Sequence, residues 1–322
     1  MAGDSKKVVY AAMVGNGLIA ASKLAAGLFT GSGAMISEAV HSAADTSNQG
    51  LLLFGMKRAE RRPTSLHPLG FAPESYFWPF MVSIVIFLLG GVFALYEGIH
   101  AFMAPPEEGA EHGSFLANYI VLGVAIVFEA VVFAVAIKEF NKVRGERPAV
   151  KVFLEAKDPT IPVVLMEDFA ALLGLVFALI AVAMTDLTGW YGYDAIGSIA
   201  IGVLLCGVAF LLARETHSLL LGESASLETR EQVVRLVEAD PAVTEVTQLL
   251  SMHRGPEDVV LALKVHFDGS LALDAVEGAI DRIEEAIRAD LPEMKRIFIE
   301  PDSDYDAAQD PLVDPVARAA TT

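Results

Sequence analysis

His41 and Asp45 stand four residues apart in the run Ser37-Glu38-Ala39-Val40-His41-Ser42-Ala43-Ala44-Asp45, which continues to Asn48 and Gln49. On a helix that spacing stacks imidazole and carboxylate one turn apart on one face, and Glu38, Ser42, Asn48 and Gln49 extend the stripe. An imidazole nitrogen and a carboxylate oxygen so placed can grip one divalent cation. They can equally bond each other and tie two helices together, and spacing alone leaves both readings open. Glu167-Asp168 favours the first. These adjacent carboxylates lie inside an otherwise apolar stretch, 161–184, among Ala170, Ala171 and Gly174. In hydrocarbon they need a bound cation or protons. For Glu167 the alternative is a helix-end salt bridge to Lys151 or Lys157.

Other ionisable residues in apolar runs are also candidates, because each is costly inside a bilayer. Lys23 and Glu38 could pair, or Lys23 could snorkel to the interface. Glu129 could relay protons or bond a neighbouring helix, and Asn16 could bond across helices. Glu97 and His100 read as interfacial. His67, in the punctuated loop His67-Pro68-Leu69-Gly70, could bind metal transiently or be an ordinary loop histidine. His217 stands near the end of the last apolar run.

The elements that position these groups follow from hydrophobic run length. Of 322 residues, 54% are apolar and 20% charged, yet the formal net charge is −18. Residues 1–221 hold 19 acidic and 14 basic residues, net −5, while 222–322 hold 22 and 9, net −13. An apolar two-thirds thus precedes an acidic third. A bilayer core of roughly 30 Å takes about 20 apolar residues per helix. Six segments qualify, near 8–29, 33–56, 77–103, 116–137, 161–185 and 193–221. Lys6 and Lys7 precede the first; Lys57, Arg58, Arg61 and Arg62 follow the second. Lys138, Lys142, Arg144, Arg147, Lys151 and Lys157 follow the fourth, and the other connectors carry no Lys or Arg. Positive charge marks the cytoplasmic side, so both termini are expected there. The single cysteine, Cys206, excludes a disulfide framework, and the acidic balance argues against nucleic acid as a partner.

Residues 222–302 read as a small α+β domain of order αββαβ, with a sheet on one side and helices on the other. Ser226 caps a helix reaching about Ala239. Strands follow at 243–252 and 259–267, joined by Arg254-Gly255-Pro256-Glu257. This turn pairs His253 with about Glu257 and His266 with about Thr244. Val259, Leu261, Leu263, Val265 and Phe267 share one strand face. A helix over 273–290 puts Val276, Ile280, Ile283 and Ile287 on one stripe, and 295–300 is a third strand. The acidic, alanine-rich tail, 303–322, has a disordered composition.

Taken together, these residues resemble the cation diffusion facilitators. The resemblance rests on the run from Gly31 to Asp45, the His67-Pro68-Leu69-Gly70 loop, Tyr96-Glu97-Gly98, Asp194-Ala195, the six spans and the αββαβ domain. Tyr76-Phe77-Trp78 and Glu167-Asp168 look most like the branch containing the mitochondrial zinc-transporter-type members. The resemblance implies an all-α domain of six transmembrane helices plus a ferredoxin- or metallochaperone-like cytoplasmic domain. It also implies a homodimer through that domain, and export of Zn²⁺ or a related divalent ion in exchange for protons. It implies a secondary active transporter, not an enzyme, with no cofactor beyond the transported ion.

The family's ligand pairs map onto His41 and Asp45 in the second span and Asp168 in the fifth. The fifth-span place four residues earlier is Val164, so either Glu167 or water supplies the fourth ligand, or the site is weaker than the family norm. His67 and Glu38 are weaker metal candidates. Phe71 stands where the loop's second histidine would be. Glu300 and Asp302 fall where some members place a metal-binding His-x-Asp, without the histidine.

Metal binding requires a neutral imidazole and ionised carboxylates, so it displaces protons. One nitrogen and two or three oxygens suit Zn²⁺, while an oxygen-rich set also admits Fe²⁺, Mn²⁺ or Co²⁺. A non-transporting membrane metal sensor or scaffold is the rival from another class. An intramembrane hydrolase lacks a recognisable nucleophile. The expected location is a bacterial inner membrane.

Overall fold

The computed structural model describes the main chain of residues 2–30, 33–103, 115–190 and 192–302. The expected disordered tail, 303–322, lies outside the described residues. The chain divides into two compact units at the junction of His217 and Ser218.

The first unit is helical. It contains α1 (Ala2–Thr30), α2 (Gly33–Ala59), α3 (Glu74–Val85), α4 (Phe93–Met103) and α5 (Phe115–Arg144). The short α6 (Ala149–Leu154), α7 (Thr160–Thr188) and α8 (Gly192–Leu221) follow. A π-helical stretch, Ile86–Val92, joins α3 to α4, so the two run as one 30-residue rod. Among the described residues four helices are long and apolar enough to cross a bilayer: Glu74–Met103, Asn118–Lys142, Thr160–Thr188 and Gly192–Leu221. The helices α1 and α2 have 29 and 27 residues, the length a span needs, and some of their side chains lie outside the described set. Of the six expected spans, four are therefore met among the described residues.

Large apolar side chains face outward on these helices. Leu18, Leu28, Leu89 and Phe210 are 65%, 69%, 72% and 70% exposed. Water does not solvate such a surface at tolerable cost; lipid does.

Contacts at the helix ends give the alternation. At one end Lys6 bridges to Glu60, Tyr76 donates to the Lys157 carbonyl at 3.0 Å, and the Phe80 and His217 rings lie 6.1 Å apart. At the other end Tyr119 donates to Asp186 at 3.1 Å, and Phe102 faces Trp190 at 6.5 Å. The basic connectors after α2 and α5 thus gather at the end that holds the N-terminal segment. Trp190 and Tyr193, 4.9 Å apart, lie at the opposite end, the kind of residues that settle at a membrane interface. There α7 stops at Gly189, whose φ of +71° is the left-handed conformation that glycine adopts without strain.

Small residues let α4 and the π-helical stretch approach α8. A side-chain carbon added at Gly98 would fall 2.8 Å from Ile199, at Gly202 2.7 Å from Leu95, and at Gly91 2.5 Å from the Cys206 sulfur. Gly207 meets nothing within 4 Å and does not serve this seam.

The second unit has α9 (Leu227–Glu238), β1 (Val243–Gly255), β2 (Asp258–Phe267), α10 (Leu273–Asp290) and β3 (Met294–Pro301). The sheet order is β1-β2-β3, with β1 antiparallel and β3 parallel to the central strand. Ser226 accepts the Thr229 N–H at 3.2 Å, capping α9 as its residue type predicts. Val259, Leu261, Leu263 and Val265 are no more than 2% exposed, and they pack with Val233, Val237, Ile283 and Ile287 into one core. The hairpin differs from expectation. Gly255 pairs with Asp258, so Pro256-Glu257 alone make the turn, and His253 faces Val259 instead of Glu257. His266 pairs with Glu245, not Thr244, because β1 contains irregularities that shift its register.

Candidate metal centre

The polar stripe of α2 turns inward. Ser42, Asn48 and Gln49 are 1%, 6% and 0% exposed, and Asp45 is half-buried. Opposite them on α7, Glu167 and Asp168 are 6% and 2% exposed. The α7 helix can bury both because Val163, Val164 and Ala170 carry its apolar packing. Asn48 donates to Glu167 Oε1 at 2.7 Å, clasping α2 to α7 across the interior. That bond replaces the alternative salt bridge of Glu167 to Lys151 or Lys157; Lys151 instead lies 3.9 Å from Glu155.

The second oxygen of each α7 carboxylate is left over. Glu167 Oε2 and Asp168 Oδ2 are buried and have no hydrogen-bond partner, and neither does either side-chain polar atom of Gln49. Asp45, Asp168 and Glu129 all act electrostatically on Glu167, and Asp45 and Glu129 act on Asp168. Buried polar atoms are satisfied in nearly all native structures. Carboxylate oxygens held close to like charge and left without donors are therefore suited to a cation or to protons. A carboxylate pair with an amide oxygen nearby is a hard donor set, and an imidazole would add a borderline one.

Not every predicted group joins this cluster. The side chains of His41 and Glu38 lie outside the described residues; both positions belong to α2. Among the described residues no three His, Cys, Asp or Glu side chains converge as a preformed metal cage. Val164, at the place expected to carry a ligand in the family pattern, is 1% exposed in the apolar core. His67 packs against Phe71 with ring centres 4.7 Å apart, and the Arg61 guanidinium covers the Phe71 ring at 4.8 Å. Glu97 and His100 are exposed. Asn16 is buried, and its side-chain oxygen makes no hydrogen bond across helices. In the second unit, Lys264 sits 2.9 Å from Asp302 and 3.8 Å from Glu300, so a built-in cation occupies that acidic pair.

A cavity of about 400 Å³ leads to the cluster. Asp168 and Val164 line it from α7, Ala12 and Gly15 from α1, and Glu139 and Lys142 from the basic end of α5. The sequence had put Asn48 in the polar stripe without assigning it a partner, and it gave no sign of this cavity. The i, i+3 spacing from Asp45 could have singled out Asn48; the cavity depends on packing between helices.

The family model described as the cation efflux transmembrane domain matches residues 9–221. Over 267 residues, 82% of this chain and 47% of the relative, the chain is 38% identical to the mitochondrial proton-coupled zinc antiporter SLC30A9 of Xenopus laevis. It is 28% identical over 272 residues to metal tolerance protein C4 of Arabidopsis thaliana, covering 84% of this chain and 58% of that one. It is 21% identical over 299 residues to the manganese efflux system protein MneP of Bacillus subtilis, covering 92% and 95%. The chain spans about half the length of the zinc antiporters it matches. With a matched family model over residues 9–221, buried carboxylates on the expected spans and four bilayer-length helices, this chain is an integral membrane protein of the cation efflux, or cation diffusion facilitator, family.

Proposed function

We propose that the protein moves Zn²⁺ or a related divalent ion out of the cytoplasm in exchange for protons, as a secondary active transporter. The observation that carries this reading is the facing set on α2 and α7. Glu167 Oε2 and Asp168 Oδ2 are buried without donors beside Asn48 and within electrostatic reach of Asp45. In the loaded state His41, Asp45 and Asp168 hold the ion, and Glu167 supplies a fourth donor in place of the absent fifth-span ligand. The cavity from Glu139 and Lys142 to Asp168 is the cytoplasmic approach. When the ion leaves, three carboxylates in a low-dielectric interior must be neutralised by protons. When an ion binds, those protons leave. If both the loaded and the protonated forms can switch the side to which they open, proton entry drives ion exit.

The membrane is a bacterial inner membrane in this reading, with both termini cytoplasmic, and the protein works as a homodimer through its second unit. The basic connectors gathered at one end of the helical unit support that orientation. The relatives named as mitochondrial make an organellar membrane the competing assignment.

A second reading concerns the ion. An oxygen-rich set also suits Mn²⁺, Fe²⁺ or Co²⁺, and one similar protein bears the name of a manganese efflux system. Uptake into proteoliposomes by the purified chain, with each metal in turn, decides between them. Zinc is expected to be taken up fastest, and Asp45→Ala is expected to abolish the flux. Saturable metal binding without any uptake would make the protein a membrane sensor.

A further inference from the structure

A fourth acidic residue of the helical unit is set apart from the facing set by a base. Lys23 on α1 is 1% exposed and Glu129 on α5 is 3% exposed. The Lys23 ammonium donates to Ser42 Oγ on α2 at 2.8 Å and lies 3.8 Å from Glu129 Oε1. Ser42 is three residues from Asp45, so this junction of three helices sits one turn from the proposed ion site. Glu129 acts electrostatically on both Glu167 and Asp168. Among the described residues of this region, Asp45, Glu129, Glu167 and Asp168 bring four formal negative charges and Lys23 one positive charge.

A buried ion pair rarely gains stability over apolar residues of the same volume. Helix packing alone therefore gives no reason for a lysine here, whereas control of charge does. We propose that Lys23 is a tethered counter-cation that withholds Glu129 from the cation-binding set, so that the site presents the charge appropriate to one divalent ion. This rests on the proposed function, and it makes Lys23 a positioning residue that never touches the ion.

The proposal predicts opposite effects from its two partners. Lys23→Met leaves the Glu129 charge uncompensated near the site and attracts the ion. Glu129→Gln leaves an ammonium facing the same carboxylates and repels it. A charge acting through a protein interior shifts affinity by about tenfold or more. Zn²⁺ titration of the full chain in detergent should therefore give binding about tenfold tighter for Lys23→Met and about tenfold weaker for Glu129→Gln. The double variant should return to within about threefold of wild type, and Lys23→Arg should resemble wild type. In proteoliposomes Lys23→Met should lower KM and Vmax together, because the ion is held too well.

Single substitutions that both weaken binding, or leave it unchanged, in a wild type that transports Zn²⁺ would overturn the proposal and reduce the pair to helix glue. Should Lys23→Met fail to fold, Glu129→Gln against Lys23→Arg decides, since weakened binding is expected only in the former. A wild type that neither binds nor transports any divalent ion would remove the parent reading, and this inference with it.

Discussion

At the scale of single residues, the account turns on which oxygens are already occupied. Asn48 uses one oxygen of Glu167 and leaves the other without a hydrogen bond, the one the proposed function gives to an ion. Replacing Asn48 with Leu keeps the volume roughly constant but removes the donor that orients the carboxylate. Losing a hydrogen bond to a buried charged group costs about 1.5–3 kcal/mol, so Zn²⁺ affinity in detergent should fall at least about tenfold. An Asn48→Leu variant with unchanged affinity would mean that the clasp serves packing only. The carboxylates on α2 and α7 were legible as costly groups needing a counter-charge. The contact of Lys23 with Glu129 was not, because it depends on the placement of α5 beside α1 and α2.

At the scale of elements, the long helices and the αββαβ order could be read from run length and period. The alternating face of β2 is buried as its sequence pattern requires. The hairpin could not be read to the residue, because turn signals spread over Arg254-Gly255-Pro256-Glu257 while the chain uses only Pro256-Glu257 as the turn. Two predictions belong here. Gly202 lies where any side chain would collide with Leu95, so Gly202→Leu should overpack the α4–α8 seam. A loss of about 1–3 kcal/mol is expected, seen as a lower thermal midpoint for the detergent-solubilised chain.

In the second unit, Arg282 donates to both oxygens of Asp240 at 2.9 and 3.0 Å. That pairing holds the Asp240 carboxyl below its ordinary range. A carboxyl lowered by folding stabilises the domain above the unfolded-state value, about 3.9, and that contribution fades as pH falls through the folded-state value. Thermal melts between neutral and acid pH should therefore show Arg282→Met less stable than wild type at neutral pH. The difference should shrink towards acid pH, and a difference independent of pH would contradict the pairing's role.

At the scale of the whole molecule, the partition of charge divides the labour. The helical unit buries Glu129, Glu167 and Asp168 among apolar helices, and the acidic excess lies beyond residue 221. In the proposed function, proton coupling is the property of the whole chain, because ionised ligands buried out of water exchange protons for metal. The most direct measurement loads proteoliposomes with a pH-sensitive dye and adds Zn²⁺ outside, comparing the wild type with Asp168→Asn. The account predicts proton movement opposite to metal movement in the wild type, with both fluxes lost together in the variant. Zinc entering the wild type without any change in lumenal pH would contradict it, as would undiminished coupled flux in Asp168→Asn.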